Sequence, residues 1–460
     1  MRWQQMNIHI LEKFSELKQT SCHKEVAAAI HELIETGSDF DLYKINAFRF
    51  AEKLGIDRNE ALRGFLFATR LGLFDMSWDI YCPSCRGLPE YHRHMMGLQQ
   101  RGHCLLCQID WKLDFEKQVE VTFTLNPSVR AISYSDFHQR DFSGMMDFIE
   151  ELGEREGRQL TLGRCVEVGK PLEIEHSFAP GKYIYWVTEK IDNSYSLEVS
   201  QHQGSSLQQV DLNISATGEV TPGSLQLNAG PVCFRIASSF PGMQGFLVAE
   251  DKPVNNWVSA HYVAMQQDFK DLFDSEFLSP ETSFGVKNLT LMFTDLKDST
   301  RMYEEVGDAR AYTLVKRHFE AMVGSIRKFE GGIVKTIGDA VMAAFPTSMQ
   351  ALAAAMEVQE KFSHKSRELE GLQVKIGIHR GPVIAVNSNN HLDYFGRTVN
   401  MAARVQGKSL EGEVLLSEEV FQEQSISSLI KEKNWSVRTF TAQLKGISPD
   451  PTLYSVSLPE

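Results

Sequence analysis

An apolar run that ends on an acid, LTLMFTD closing at Asp295, is followed by a helical pattern and then by IVKTIGDAVMAAF, a hairpin turning on Gly338-Asp339. A buried strand, a helix and a tight hairpin within Leu289 to Phe345 restrict this part of the chain to a layered α/β architecture. Taken singly, an acid at a strand end or in a turn is more often a local hydrogen-bonding residue than a ligand. Together, Asp295 and Asp339 suit hard divalent cations, Mg²⁺ or Mn²⁺, which bind carboxylate oxygen and keep phosphates as remaining ligands. Lys335 lies four residues before Asp339, so strand alternation puts both on one face unless the turn bends that relation. LKDST after Asp295 is a polar turn into a helix, with Asp298 as its cap. Free amides at such a start, around Ser299 and Thr300, favour phosphate.

Strands and helices continue to alternate to the end of the chain. A helix is predicted from about Ser299 to Phe329 and another through MQALAAAMEVQEKF. The strands VKIGIH and PVIAVN, a helix at VNMAARVQ and the strand EVLLS follow. This order predicts a two-layer, ferredoxin-like α/β domain over 285–460. The segments before it make the whole chain a multidomain α+β protein.

Over 1–78 the pattern is helical, and helix, Gly-Ile turn, helix and apolar strand come in the order of a winged-helix unit. Asp57 with Glu60 predicts a capping box. Over 79–116, Cys82-Pro-Ser-Cys85 and Cys104-Leu-Leu-Cys107 are separated by 18 residues. Two such knuckles bring four thiolates onto one tetrahedral Zn²⁺, the arrangement of a zinc ribbon, and a closed shell of four makes the metal structural. His92, His94 and His103 read as solvated loop residues. From 117 to 255 alternating runs such as VEVTFTL and KYIYWVTEKI, punctuated by PGK, DNS and TPG, predict an antiparallel sandwich or barrel interrupted by one helix, SGMMDFIEELGER. Ligand sensing and structural spacing are equally open there. Over 256–284 a helix is predicted from Asn256 to Leu278. Its Val258, Tyr262, Met265, Phe269 and Leu272 are spaced as a short coiled-coil seam, or as an amphipathic helix lying on its own domain.

The 460 residues carry a formal net charge of −13, which opposes nucleic-acid binding and favours packing or protein docking as the work of the helical segment. No run of 18 apolar residues is present and MRWQQMNIHILEKF lacks a signal-peptide plan, so no membrane partner is expected and the chain reads as cytoplasmic. Seven cysteines, four in CxxC pairs, suit the same reducing compartment.

FTDLKDST, GGIVKTIGDAVMAAF, GIHRGPV and DYFGRTVNMAAR, in that order, resemble the successive motifs of class III nucleotidyl cyclases. The region up to QDFKDLFDSEFLSP resembles an N-terminal region of uncharacterised function found on some bacterial members. The resemblance implies conversion of ATP to 3′,5′-cyclic AMP and pyrophosphate with two Mg²⁺ or Mn²⁺ ions. It places the metals on Asp295, Asp339 and the Leu296 carbonyl, purine selection on Lys335 and Asp393, and the transition-state pair on Asn400 and Arg404. Lys445 would hold the terminal phosphates. It also implies a homodimer, because metal and base-selecting residues of one site come from different subunits. Adenine presents an acceptor at N1 and a donor at its 6-amino group, so Lys335 and Asp393 match it and mismatch guanine. Two other readings stay open: a cyclase of different base preference, and a DNA- or protein-binding regulator that uses the domain as a nucleotide sensor.

Overall fold

The computed structural model describes residues 2–83, 88, 90–104, 109–132, 160–187, 194–203, 206–251, 257–363 and 372–459. They form two units. The first takes in Met1–Arg93, Gln99–Leu113 and Lys117–Ser259, the second His94–Leu98, Asp114–Glu116 and Ala260–Glu460. No helix among the described residues is long and apolar enough to cross a membrane.

In the first unit the helices Arg2–Gln19, Lys24–Thr36, Ala47–Leu54 and Arg58–Arg70 precede the strand Phe74–Ile80. Gly55, at φ 66°, ends the third helix, and Asp57 caps the fourth by accepting from the amides of Asn59 and Glu60. Glu60 turns to Arg63 at 2.7 Å. The strand Val119–Leu125, expected to open the β-rich segment, instead pairs in full register with Phe74–Ile80. Its Phe123 stacks on Phe65 at 5.1 Å, so the burial it needs is supplied by the helices.

The following eight-stranded sheet is mixed, where an antiparallel one was expected. Ser224–Ser238 is its long member: it runs parallel to Tyr195–Gln203 through residue 229, then lies between Leu172–Phe178 (antiparallel) and Gln208–Ile214 (parallel). The exchange of partners falls at an irregularity beside Gly230, whose φ of 124° lets the strand bend. The helix expected at SGMMDFIEELGER lies outside the described residues.

The second unit is built on the strand Ser283–Leu296. Its sheet runs in the order 332–337, 340–345, 283–296, 374–388, 413–417, 452–457 and 436–441, with His391–Phe395 paired to Val374–Ser388. Helices Asp308–Lys328 and Ser348–Lys361 cover one face, burying Met292, Met322, Ile326, Leu352 and Ile378 in one core. Helix Arg397–Gln406 covers the other, where Val405 packs with Leu415 and Leu453. Val414 and Leu416 belong to the first cluster and Leu415 to the second, so the strand Glu413–Ser417 is buried on both faces. The domain therefore has helices on both sides rather than the expected two layers. The expected helix Ser299–Phe329 breaks at Gly307, φ 77°. VKIGIH and PVIAVN form one strand, Val374–Ser388, because the partner strand is irregular between Val286 and Leu289, opposite Pro382, where the ladder lacks a donor.

The helix predicted over Asn256–Leu278 is two short helices, Ala260–Met265 and Gln267–Leu272, with an extended Gln266 between them. A seam along one continuous helix does not form. Met265 and Phe269 are buried within the single chain, and Tyr262 and Gln266 bond Glu330. Of the two readings the spacing allowed, packing on the chain's own domain is the one the structure adopts.

Helix Arg397–Gln406 lies directly on Val374–Ser388. A Cβ at Gly377 would sit 2.2 Å from the amide nitrogen of Gln406, and one at Gly381 would sit 2.7 Å from Thr398 Oγ1. Gly377→Ala is expected to destabilise the chain by about 1–3 kcal/mol and to displace this helix. Urea denaturation checks it, and an unchanged midpoint would contradict the close approach.

Candidate active site

The pairing of Ser283–Leu296 with Ala340–Phe345, Thr294 opposite Val341, brings the end of the first strand beside the Gly338-Asp339 turn. Gly338, at φ 64°, occupies the position of that two-residue hairpin which glycine best adopts. Burial first, and then the neighbouring Asp339, hold the Asp295 carboxyl above the usual carboxylate range; Lys375, its cross-strand partner, opposes them. Asp339 Oδ2 is buried and has no hydrogen-bond partner among the described residues. Two neighbouring acids, one with an orphaned buried oxygen, fit a divalent cation. Leu296 ends the strand with its side chain in the core. His318 lies beside Asp339, and burial pushes its pKa down to about 4 against the pull of that acid.

Lys335 and Asp393, far apart in sequence, meet as an ion pair with Nζ and Oδ2 2.7 Å apart. Asp393 is buried and Lys335 half-exposed. The Asp393 Oδ1 accepts from the amide of Tyr394 at 2.8 Å, and the ring of Phe395 lies 6.0 Å from the ammonium. Lys335 reaches Asp393, and Asp339 neighbours Asp295.

Arg404 and Lys445 line one cleft of about 680 Å³ together with Lys408 and Gly446. Asn400 stands one turn before Arg404 on the same helix, exposed. Asp298 precedes the helix Ser299–Val306 in the left-handed region, φ 52°, and its side chain makes no cap bond, which corrects the expected capping role. Ser299 is the first residue of that helix and Thr300 the second.

Cys82 and Cys104 are buried in the first unit. Cys85 and Cys107 lie outside the described residues, and among the described residues no cluster of three or more metal-ligating side chains occurs. His92, His94 and His103 each meet a carboxylate, of Glu90, Glu276 and Asp110, at 2.6–2.9 Å.

Sequence reasoning passed over His318, Lys375, Lys408 and Lys270. Only Lys408 carried a signal, as the next i+4 step after Asn400 and Arg404. His318 falls in the buried stripe with Leu314 and Met322 and reads as a core residue.

Residues 282–445 match the family described as adenylate and guanylate cyclase catalytic domain, and residues 8–152 match a family of unknown function (DUF5939). The chain is 32% identical over 204 residues to an adenylate cyclase of Lachancea kluyveri, covering 38% of this chain and 11% of that protein. It is 31% identical over 182 residues to the germination-specific adenylate cyclase of Dictyostelium discoideum, covering 36% of this chain and 20% of that protein. The matches thus span a fifth or less of these relatives' own length. Among solved structures, the adenylyl cyclase CyaB from P. aeruginosa is similar at 25% identity, over 39% of this chain and 97% of that chain, with a TM-score of 0.33.

Proposed function

We propose that this chain is an adenylate cyclase that converts ATP to 3′,5′-cyclic AMP and pyrophosphate. The observation that carries this reading is the contact of Lys335 with Asp393, a donor and an acceptor 2.7 Å apart on the same domain as two neighbouring acids. Lys335 donates to purine N1 and Asp393 accepts from the 6-amino group. Asp295, Asp339 and the Leu296 carbonyl would hold Mg²⁺ or Mn²⁺, which when bound supplies charge for the phosphates and acidifies the ribose 3′-hydroxyl. Asn400 orients the ribose, and Arg404 neutralises charge that builds on the α-phosphoryl group as the 3′-oxygen attacks and pyrophosphate departs. Lys445, with Lys408 in the same cleft, holds the terminal phosphates, and the start of the helix Ser299–Val306 adds backbone amides. No protein general base is required.

The site is shared between two copies of the chain. Ile337, Ile384 and Phe395 are 55%, 48% and 54% exposed; Ile337 lies on the strand of Lys335, Phe395 on that of Asp393, and Ile384 is the cross-strand partner of Phe395 on Val374–Ser388. An apolar patch around a substrate-reading pair suits a second copy better than solvent. Incubating the full chain with each of the four triphosphates and Mn²⁺, and separating the products, tests the reading. Absence of cyclic AMP would refute it.

The first unit is proposed to regulate this activity in the cytoplasm, with Cys82, Cys85, Cys104 and Cys107 holding a structural Zn²⁺. About one Zn²⁺ per chain is expected by elemental analysis of purified protein. A zinc-free, folded protein would overturn that assignment.

A further inference from the structure

The short helix Gln267–Leu272, just ahead of the catalytic strands, bonds the Lys335 strand through Ile333. The Ile333 amide donates to Gln267 Oε1 at 2.8 Å, and the Ile333 carbonyl accepts from Lys270 Nζ at 2.7 Å. Gln267 and Lys270 are an i, i+3 pair, so one helical face satisfies both polar groups of a single residue. The approach is close: a Cβ at Gly332 would lie 1.9 Å from the carbonyl oxygen of Met265, so only glycine admits it. The contact falls where the strand's pairing with Ala340–Phe345 shifts register, between Ile333 and Lys335. A bulge re-aims the side chain that follows it, and that side chain here is Lys335.

The clamp is itself held. Gln267 Nε2 donates to Asp271 Oδ1 at 2.7 Å, which turns the amide oxygen to Ile333. Arg327 pairs with Asp268 and Asp271 and ties the helix to Asp308–Lys328. The Lys270 ammonium is desolvated, which pushes its pKa down to about 8, while Asp393 and Asp271 pull it upward. His261 beside it is kept neutral by burial and by the Lys270 charge, and reaches the Tyr394 hydroxyl at 3.3 Å.

We propose that Lys270 and Gln267 are positioning residues for base selection: they fix the Lys335 strand through Ile333, at the bulge that aims Lys335 at Asp393. The proposal rests on the adenylate cyclase reading and extends it. Held so, Lys335 donates to adenine N1 while Asp393 accepts from the 6-amino group. The helix ahead of the domain is thereby a part of adenine recognition.

Lys270→Met, which keeps the stem and removes the charge, tests this in the full chain. KM for ATP is expected to rise about tenfold and ATP-over-GTP preference to fall about tenfold, with kcat at saturation within about threefold of wild type. Lys270→Arg should recover part of the preference. Binding of fluorescent ATP and GTP analogues gives the same comparison without turnover. Unchanged KM and preference in a folded Lys270→Met would overturn the proposal. So would an equal loss of rate with both triphosphates, since that is mere structural support. If Lys270→Met melts well below wild type, Gln267→Met is read instead and must raise KM for ATP. Should wild type cyclise no triphosphate yet bind the ATP analogue more tightly, the activity reading fails while the analogue titration still decides the positioning role. A chain that binds neither analogue refutes both.

Discussion

Asp339→Asn is expected to abolish cyclic AMP formation, by on the order of a thousandfold, while making the metal-free chain more stable than wild type at neutral pH. The loss corresponds to the several kcal/mol a bound cation contributes at the reacting phosphate. The gain has the opposite origin. Burial and then Asp339 raise the Asp295 carboxyl above its unfolded value. Such a group contributes stability that is fully present below the unfolded pKa and lost as pH rises through the folded one. That contribution is lost with rising pH, where the neighbouring Asp339 disfavours the charged form of Asp295. Removing one relieves the repulsion, a trade of stability for function common at active sites. Mn²⁺ should raise the melting temperature of wild type at pH 7, do so much less near pH 4, and leave Asp339→Asn nearly unmoved. Thermal scans with and without Mn²⁺ at the two pH values measure all of this. Equal stabilisation of both proteins by Mn²⁺, or an active Asp339→Asn, would remove Asp339 from the metal site.

The second large effect concerns the purine. Lys335→Glu combined with Asp393→Asn exchanges donor for acceptor at one position and supplies a donor at the other, the pattern guanine requires. ATP turnover, as kcat/KM, should fall about a hundredfold, since each mispaired group costs about 1–3 kcal/mol, and GTP should become the better substrate. Lys335→Glu alone should be worse for both nucleotides, because it sets two carboxylates face to face where an ion pair of 2.7 Å now stands. The comparison is a product assay over the four triphosphates for wild type, single and double variants. A double variant that keeps the wild-type preference for ATP would show that the purine is read elsewhere.

Much of the second unit was legible beforehand because its signals are local. The apolar run before Asp295, the Gly338-Asp339 turn and the i, i+4 step from Asn400 to Arg404 depend on side-chain period and turn chemistry, which need no knowledge of distant residues. The consecutive apolar residues Val414, Leu415 and Leu416 of EVLLS already implied a strand covered on both faces, although a two-layer domain was expected. Gly307 inside a long helical pattern could have marked the break observed there. Asp298 sat where a cap belongs, yet a left-handed backbone turned its side chain to solvent.

The heptad-like spacing of Val258 to Leu272 is the clearest ambiguity. Apolar residues at such steps are satisfied equally by a second helix or by the chain's own strands, because burial is non-directional. Only the packing of Met265 and Phe269 within one chain, and the extended Gln266, decided between them. By itself the sequence determined the order of strands and turns, the two acids at their ends and, through resemblance, the pair proposed to select the base. The tertiary structure decided that Lys335 lies against Asp393, that the end of the Asp295 strand lies beside the Gly338-Asp339 turn, and that Lys270 reaches Ile333 from a preceding helix. The reason is physical: period and turn type are written in neighbouring residues, whereas the contact of two charges 58 residues apart depends on sheet order and register.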